Sequence, residues 1–282
     1  MKWCAGGHER IRFGWQVYHS TFPLPESGES GVAPDGGSLY PPRMKTMRIR
    51  HLLPLLLLAL PAGSFHASQA LAQSVALDEG TFLVFVDGRS VGSESFAIRR
   101  SGAGGDAQII ATAEIRMDRA GDVLEIRPAL QAQGAEMAVS AYQVKITGSR
   151  EEEIYVTLGD RRYHTKVVSA RGEQEREYRA QTGTLLLDSE VAHQFYFLRP
   201  HLERGESTLP VIVPRESRQV QLRLIPEGRE AISVAGQQVE ARRFRLETSD
   251  TTRIIWFDDQ DRVLQVENPG TRYRAVRDAV PS

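Results

Sequence analysis

Gln219-Val220-Gln221-Leu222-Arg223-Leu224 puts an apolar side chain at every second position and a polar one between each pair. Successive side chains of an extended chain point to opposite faces, so a period of two makes a strand with one dry and one wet face. Such alternation fits an antiparallel sheet that rests one face on a core and shows the other to water. Glu227-Gly228 reads as a turn into a further strand at Ala231 to Ala235. More strands follow at Val239 to Leu246, Arg253 to Phe257, Val263 to Glu267 and Arg272 to Val276. Ala235-Gly236, Thr248-Ser249-Asp250, Asp258 to Asp261 and Asn268-Pro269-Gly270 supply the turns between them.

Toward the N-terminus the same pattern continues. Thr81-Phe-Leu-Val-Phe-Val86 is β-branched and aromatic, Asp87-Gly88 is a turn signal, and Ser95 to Ile98 resumes the strand, which makes a hairpin. Gln108 to Asp118 and Val123 to Leu130 form a second hairpin around Ala120-Gly121-Asp122, and Met137 to Thr147 and Glu153 to Leu158 extend the series. Roughly a dozen strands in a meander favour a sheet curled on itself, which leaves few edges exposed.

One segment departs from the period of two. After Leu185-Leu-Leu187, Asp188-Ser189 is a helix cap, and Val191, Phe195, Leu198 and Leu202 share one helical face, with Pro200 ending or kinking the helix. The expected fold is therefore all-β and mainly antiparallel, a curved sheet forming a barrel or half-barrel with one covering α-helix.

From Met44 the chain reads as a secretory signal, with Lys45, Arg48 and Arg50, the apolar run Leu52 to Ala62, and Ala70-Leu71-Ala72 as the cleavage site. Pro54 and Pro61 interrupt that run, which is shorter than the ~20 residues a spanning helix needs. Within residues 1–43, Pro23 to Pro42 is rich in Gly, Ser, Pro and Glu and shows no apolar period, so 1–43 reads as a misassigned start or a disordered extension, with Met44 or Met47 as the alternatives to Met1. Cleavage near Ala72 leaves one β-rich domain, 73–282, in the periplasm or secreted, with no transmembrane span. Of 35 basic and 36 acidic residues in the whole chain, 28 and 32 fall in that domain, an acidic balance unsuited to nucleic acid. Cys4, the only cysteine, lies before the signal, so neither a disulfide framework nor a lipid-bearing cysteine follows it.

Asp188, Phe195-Tyr-Phe-Leu-Arg199, Gly205, Gly228-Arg-Glu230 and Val234-Ala-Gly236 lead to a Trp turn, Ile255-Trp256-Phe-Asp258, followed by Asp261-Arg-Val-Leu264. This stretch resembles uncharacterised bacterial envelope proteins, a domain of unknown function similar to the lipoprotein carriers of the LolA and LolB type. The resemblance implies a half-open antiparallel barrel in which a helix around Phe195 to Leu198 is the lid of an apolar cavity for acyl chains. The residues that carriers use at their mouths have no one-to-one match here.

Gly88-Arg89-Ser90-Val91-Gly92 fits the nucleophile pattern G-x-S-x-G, but that motif needs a strand, a sharp turn and a helix, and here a strand follows. Glu190 and His193 are spaced to share a helix face, without H-E-x-x-H or a cysteine ligand, and His164 and His201 lie apart from them. Asp258, Asp259 and Asp261 read as an acidic turn because the calcium-loop spacing is missing. Arg242, Arg243 and Arg245 read as solvated edge protection or headgroup contacts. No cofactor motif or metal site is visible.

The expected function is non-enzymatic binding of a hydrophobic ligand, a lipid or lipoprotein acyl chain, in the bacterial envelope. Phe195, Tyr196, Phe197, Leu198 and Trp256 are the candidate ligand-binding residues, with core packing as the competing reading of each. The alternative is a structural or assembly module acting through an envelope protein partner, and a serine esterase is third.

Overall fold

A computed structural model describes residues 74–282; the signal segment and residues 1–43 lie outside the described residues. Fifteen strands form one sheet. β1 (Val75–Val86) and β2 (Arg89–Ser101) start a meander through β3 (Gln108–Arg119), β4 (Asp122–Gln133), β5 (Ala138–Gly148), β6 (Glu152–Gly159), β7 (Arg162–Ser169) and β8 (Gly172–Arg179). After β9 (Leu185–Leu186) and β10 (Ser207–Val213), a second meander runs through β11 (Arg218–Val234), β12 (Gln237–Glu247), β13 (Thr252–Phe257), β14 (Val263–Asn268) and β15 (Tyr273–Arg277). The order β8-β7-β6-β5-β4-β3-β2-β1-β15-β14-β13-β12-β11-β10-β9 joins the two meanders where β1 pairs with β15. Every pairing is antiparallel except β9 with β10, and β8 and β9 are unpaired edges. The sheet is curved and unclosed, within the expected choice of a barrel or half-barrel.

The two-residue turns follow their sequence. Asp87-Gly88, Ala120-Gly121 and Ala235-Gly236 all take positive φ at both positions, the geometry whose twist matches that of the flanking strands. Gly88 and Gly92 therefore serve the hairpin. Ser90 is exposed on β2, and a Cβ on Gly92 would stand 1.8 Å from the Arg116 carbonyl oxygen on β3. Gly92→Ala is expected to cost about 2 kcal/mol or more in urea unfolding, because the clash is with backbone and not with a movable side chain.

Three features differ from the sequence reading. Glu227-Gly228 is not a turn but a register shift inside β11, a strand of 17 residues. Pro226 has no N–H to give a ladder, and a bulge is where a sheet accommodates that. β7 and β8 are strands that the sequence reading does not include: β8, Gly-Glu-Gln-Glu-Arg-Glu-Tyr-Arg, has no dry face and is exposed almost throughout, whereas β7 buries Tyr163, Thr165 and Val167 on one face, with the polar Thr165 interrupting the apolar alternation. The helix, Ala192–Arg204, is a 13-residue 3-10 helix and starts without a side-chain cap. A 3-10 helix rises about 2.0 Å per residue against about 1.5 Å for an α-helix, so this segment reaches further across the fold.

That helix runs inside the curl rather than over it. Residues 191–198 are all buried, without the wet face of a surface helix. Phe195, Tyr196, Phe197 and Leu198 join Phe82, Ile98, Ile126, Val144 and Phe257 in one large core. Arg204 near its end reaches Glu136 after β4 at 2.5 Å, while Glu203 pairs with Arg242 on β12. A smaller core lies on the other face of the sheet, where Val234, Ala241, Ile254, Trp256, Leu264 and Val276 meet. Among the described residues no helix is long and apolar enough to cross a membrane.

Candidate functional site

Inward positions of β2 should be apolar, and Phe96 and Ile98 obey; Glu94, two residues earlier on the same face, does not. Its fully buried carboxylate receives the N–H of Ala192 and of His193 at 2.8 Å each, and faces His193 Nδ1 at 2.7 Å. Carboxylates are favoured at the N-terminal end of a helix, where N–H groups lack partners, so Glu94 fixes where the helix enters the fold. His193 also stacks on Phe96, with ring centroids 5.7 Å apart.

Asp188 turns inward as well. Its Oδ2 accepts the Tyr142 hydroxyl at 2.9 Å and lies 3.0 Å from Arg215 Nε, while its Oδ1 accepts the Ser189 N–H at 3.0 Å. Both members of the pair are shielded from water, and Gln194 Oε1 accepts the Asp188 N–H at 2.6 Å. Asp188 is therefore an anchor in the core and not the helix cap that its position in the sequence implies.

Beside this anchor, with Arg215 and, from the edge strand β8, Gln174 among its lining residues, lies a cleft of about 790 Å3. Its apolar wall is built from Val167, Val191, Ala192, Phe195, Val266 and Tyr273. Its charged wall is Glu152, Arg215, Arg218 and Arg253 together with Glu190, Glu216 and Asp250. Ligand pockets commonly span ~300–1,000 Å3 and combine an apolar lining with a few placed polar groups, and this cleft has both properties.

The charges differ in their environment. Glu152 is pushed up to about 7 from 4.5, chiefly because burial disfavours its ionised form; Asp188 raises it further while Arg215 and Arg150 hold it down. In the pH window between those values the folded chain keeps a proton that the unfolded chain has released, so stability falls as pH rises through it. Glu152→Gln is expected to remove that fall and to gain about 2–3 kcal/mol over the parent above pH 7.5, at ~1.36 kcal/mol per pKa unit, as read by chemical unfolding across pH 4–8. A parent whose stability rises through that window would contradict the assignment. Burial also lifts the Tyr273 phenol well above its usual range, with Glu94 adding to the effect.

Of the residues proposed from sequence, only Phe195 lines the cleft. Tyr196, Phe197 and Leu198 are enclosed in the large core, the packing role weighed against ligand contact. Trp256 faces the smaller core across the sheet, where its Nε1–H donates to Glu230 at 2.5 Å. Glu190 and His193 do not meet, since Glu190 pairs with Arg119 at 2.5 Å and His193 with Glu94. The acidic turn is bound to arginines: Asp258 to Arg262, Asp259 to Arg229, and Asp261 to Arg199 and Arg242. Arg242, Arg243 and Arg245 lie on β12, which is paired on both sides, so they protect no edge; Glu203, Glu227, Glu230 and Glu247 partner them.

No protein-family model matches the chain, and no curated protein matches it. Two solved structures are similar to it at low TM-score. One is a β-barrel-like protein of the domain of unknown function DUF1849 from Brucella abortus, with a TM-score of 0.43 and 9% identity, over 70% of this chain and 93% of that one. The other is a DUF1089 family protein from Pseudomonas aeruginosa, with a TM-score of 0.38 and 12% identity, over 63% of this chain and 90% of that one.

Proposed function

We propose that this is an exported envelope protein that binds a hydrophobic ligand, a lipid or lipoprotein acyl chain, without catalysis. The observation that carries the proposal is the cleft of about 790 Å3, whose apolar wall is continuous with the main core through Val191, Ala192 and Phe195. A chain laid along that wall leaves water at about 25 cal/mol per Å2 of apolar surface. The centre of the curl is filled by the helix, so the ligand lies beside the helix and not beneath it. Export follows from the signal read between Met44 and Ala72.

Titration of the purified protein with a fluorescent fatty acid tests the reading. Thr271 lines the cleft and is exposed, so Thr271→Trp fills the space without disturbing the core. Saturable binding by the parent and its loss in Thr271→Trp is the expected result. Equal binding by both places the ligand elsewhere.

A second reading, an assembly module acting through a protein partner, is favoured by one observation. β8 is an end strand with no strand on its outer side, where a partner strand could add, although Gln219 Nε2 already donates to the Arg179 carbonyl at 2.9 Å.

A further inference from the structure

The cleft contains three arginines, and their partners separate them. Arg215 is held by Asp188, and Arg218 by Glu216 at 2.5 Å and Asp250 at 2.7 Å. Arg253 continues the inward face of β13 after Phe257 and Ile255, whose side chains belong to the main core. It is only partly accessible and makes no hydrogen bond or ion pair with any described residue. Of the four carboxylates around the cleft, Glu216 and Asp250 are engaged on Arg218 and Glu190 on Arg119, while burial pushes Glu152 up to about 7. Burial lowers the Arg253 pKa, with the fields of Glu216 and Asp250 opposing that and the field of Arg218 adding to it. Tyr273 lines the same cleft with a buried hydroxyl that has no hydrogen-bond partner among the described residues.

A partly desolvated guanidinium without an acceptor is costly, and its planar fork matches a carboxylate or phosphate in two parallel hydrogen bonds. We propose that Arg253 reads the oxyanion head of a single-chain amphiphile whose tail lies on the Val167, Phe195 and Val266 wall. This rests on the ligand-binding reading above and narrows it to chains ending in a carboxylate or a phosphate monoester. A neutral hydroxyl head of equal chain length has one uncharged oxygen and cannot take the fork's two charge-assisted hydrogen bonds.

The test is calorimetric titration of the parent, Arg253→Gln and Arg253→Lys with palmitate, hexadecyl phosphate and hexadecanol, all below their aggregation limits. Circular dichroism and melting confirm that each variant is folded. For at least one oxyanion, Arg253→Gln should bind about tenfold or more weakly than the parent, since hydrogen bonds to charged groups are worth ~1.5–3 kcal/mol, and Arg253→Lys should recover part of the loss. Hexadecanol should bind parent and variants alike. The tighter of the two oxyanions identifies the source of the head as a free fatty acid or a phosphate ester. Undiminished oxyanion binding by Arg253→Gln overturns the role of Arg253 and leaves the cleft reading intact. Failure of all three compounds to bind the parent overturns both.

Discussion

Glu94→Ala should remove about 3–5 kcal/mol of folding stability, read as a shifted urea midpoint at an unchanged slope. One carboxylate, 0% exposed, meets the Ala192 N–H, the His193 N–H and His193 Nδ1. Both backbone N–H groups and the His193 ring lose their partner together in the alanine variant. Each buried donor left unpaired costs ~1–3 kcal/mol, and the void where the side chain stood adds to that. Total stability is typically ~5–15 kcal/mol, so the loss is a large share of it. Glu94→Gln keeps one carbonyl oxygen and should lose about half as much. A loss under about 1 kcal/mol in Glu94→Ala would show that the helix is positioned by packing alone.

Asp188→Asn should be nearly as damaging, at about 3–5 kcal/mol, because it leaves the Arg215 guanidinium in the interior without its carboxylate. Their side chains are 0% and 1% exposed. The double change Asp188→Asn with Arg215→Met should recover a substantial part of the loss, since it removes both charges where the single change strands one. A double-mutant cycle by thermal unfolding measures this directly. Additive losses would mean that the two groups act independently, contrary to their 3.0 Å contact.

Where one period ran through a strand, the sequence was enough to place it. β11 was found from Gln219 to Leu224, and β13 from Arg253 to Phe257, because Ile255 and Phe257 face one core while Ile254 and Trp256 face the other. β8 was invisible because its side chains are charged on both faces, which suits an edge and defeats any search for a dry face. The helix was found with the wrong character. Val191, Phe195, Leu198 and Leu202 would share a face of an α-helix, but in the 3-10 helix only Phe195 and Leu198 are in line, and residues 191–198 are all buried.

The cleft was largely illegible for a related reason. Glu152, Arg215, Arg253 and Tyr273 are far apart in the chain and meet only through the curl, which no local spacing records. A weak signal did exist. Glu94 before Phe96 and Ile98, and Arg253 before Ile255 and Phe257, are charged residues at the inward positions of otherwise apolar strand faces. A charge in that register either pairs inside the fold, as Glu94 does, or awaits an acceptor, as Arg253 does.

The most direct test is native mass spectrometry, with organic extraction, of the full protein purified gently from its exporting host. The account predicts a parent that carries a single-chain amphiphile in about one-to-one ratio and a folded Thr271→Trp variant that carries none. A parent that is clean as isolated, and stays clean after incubation with fatty acids and their phosphate analogues, would contradict it and direct attention to the β8 edge and a protein partner.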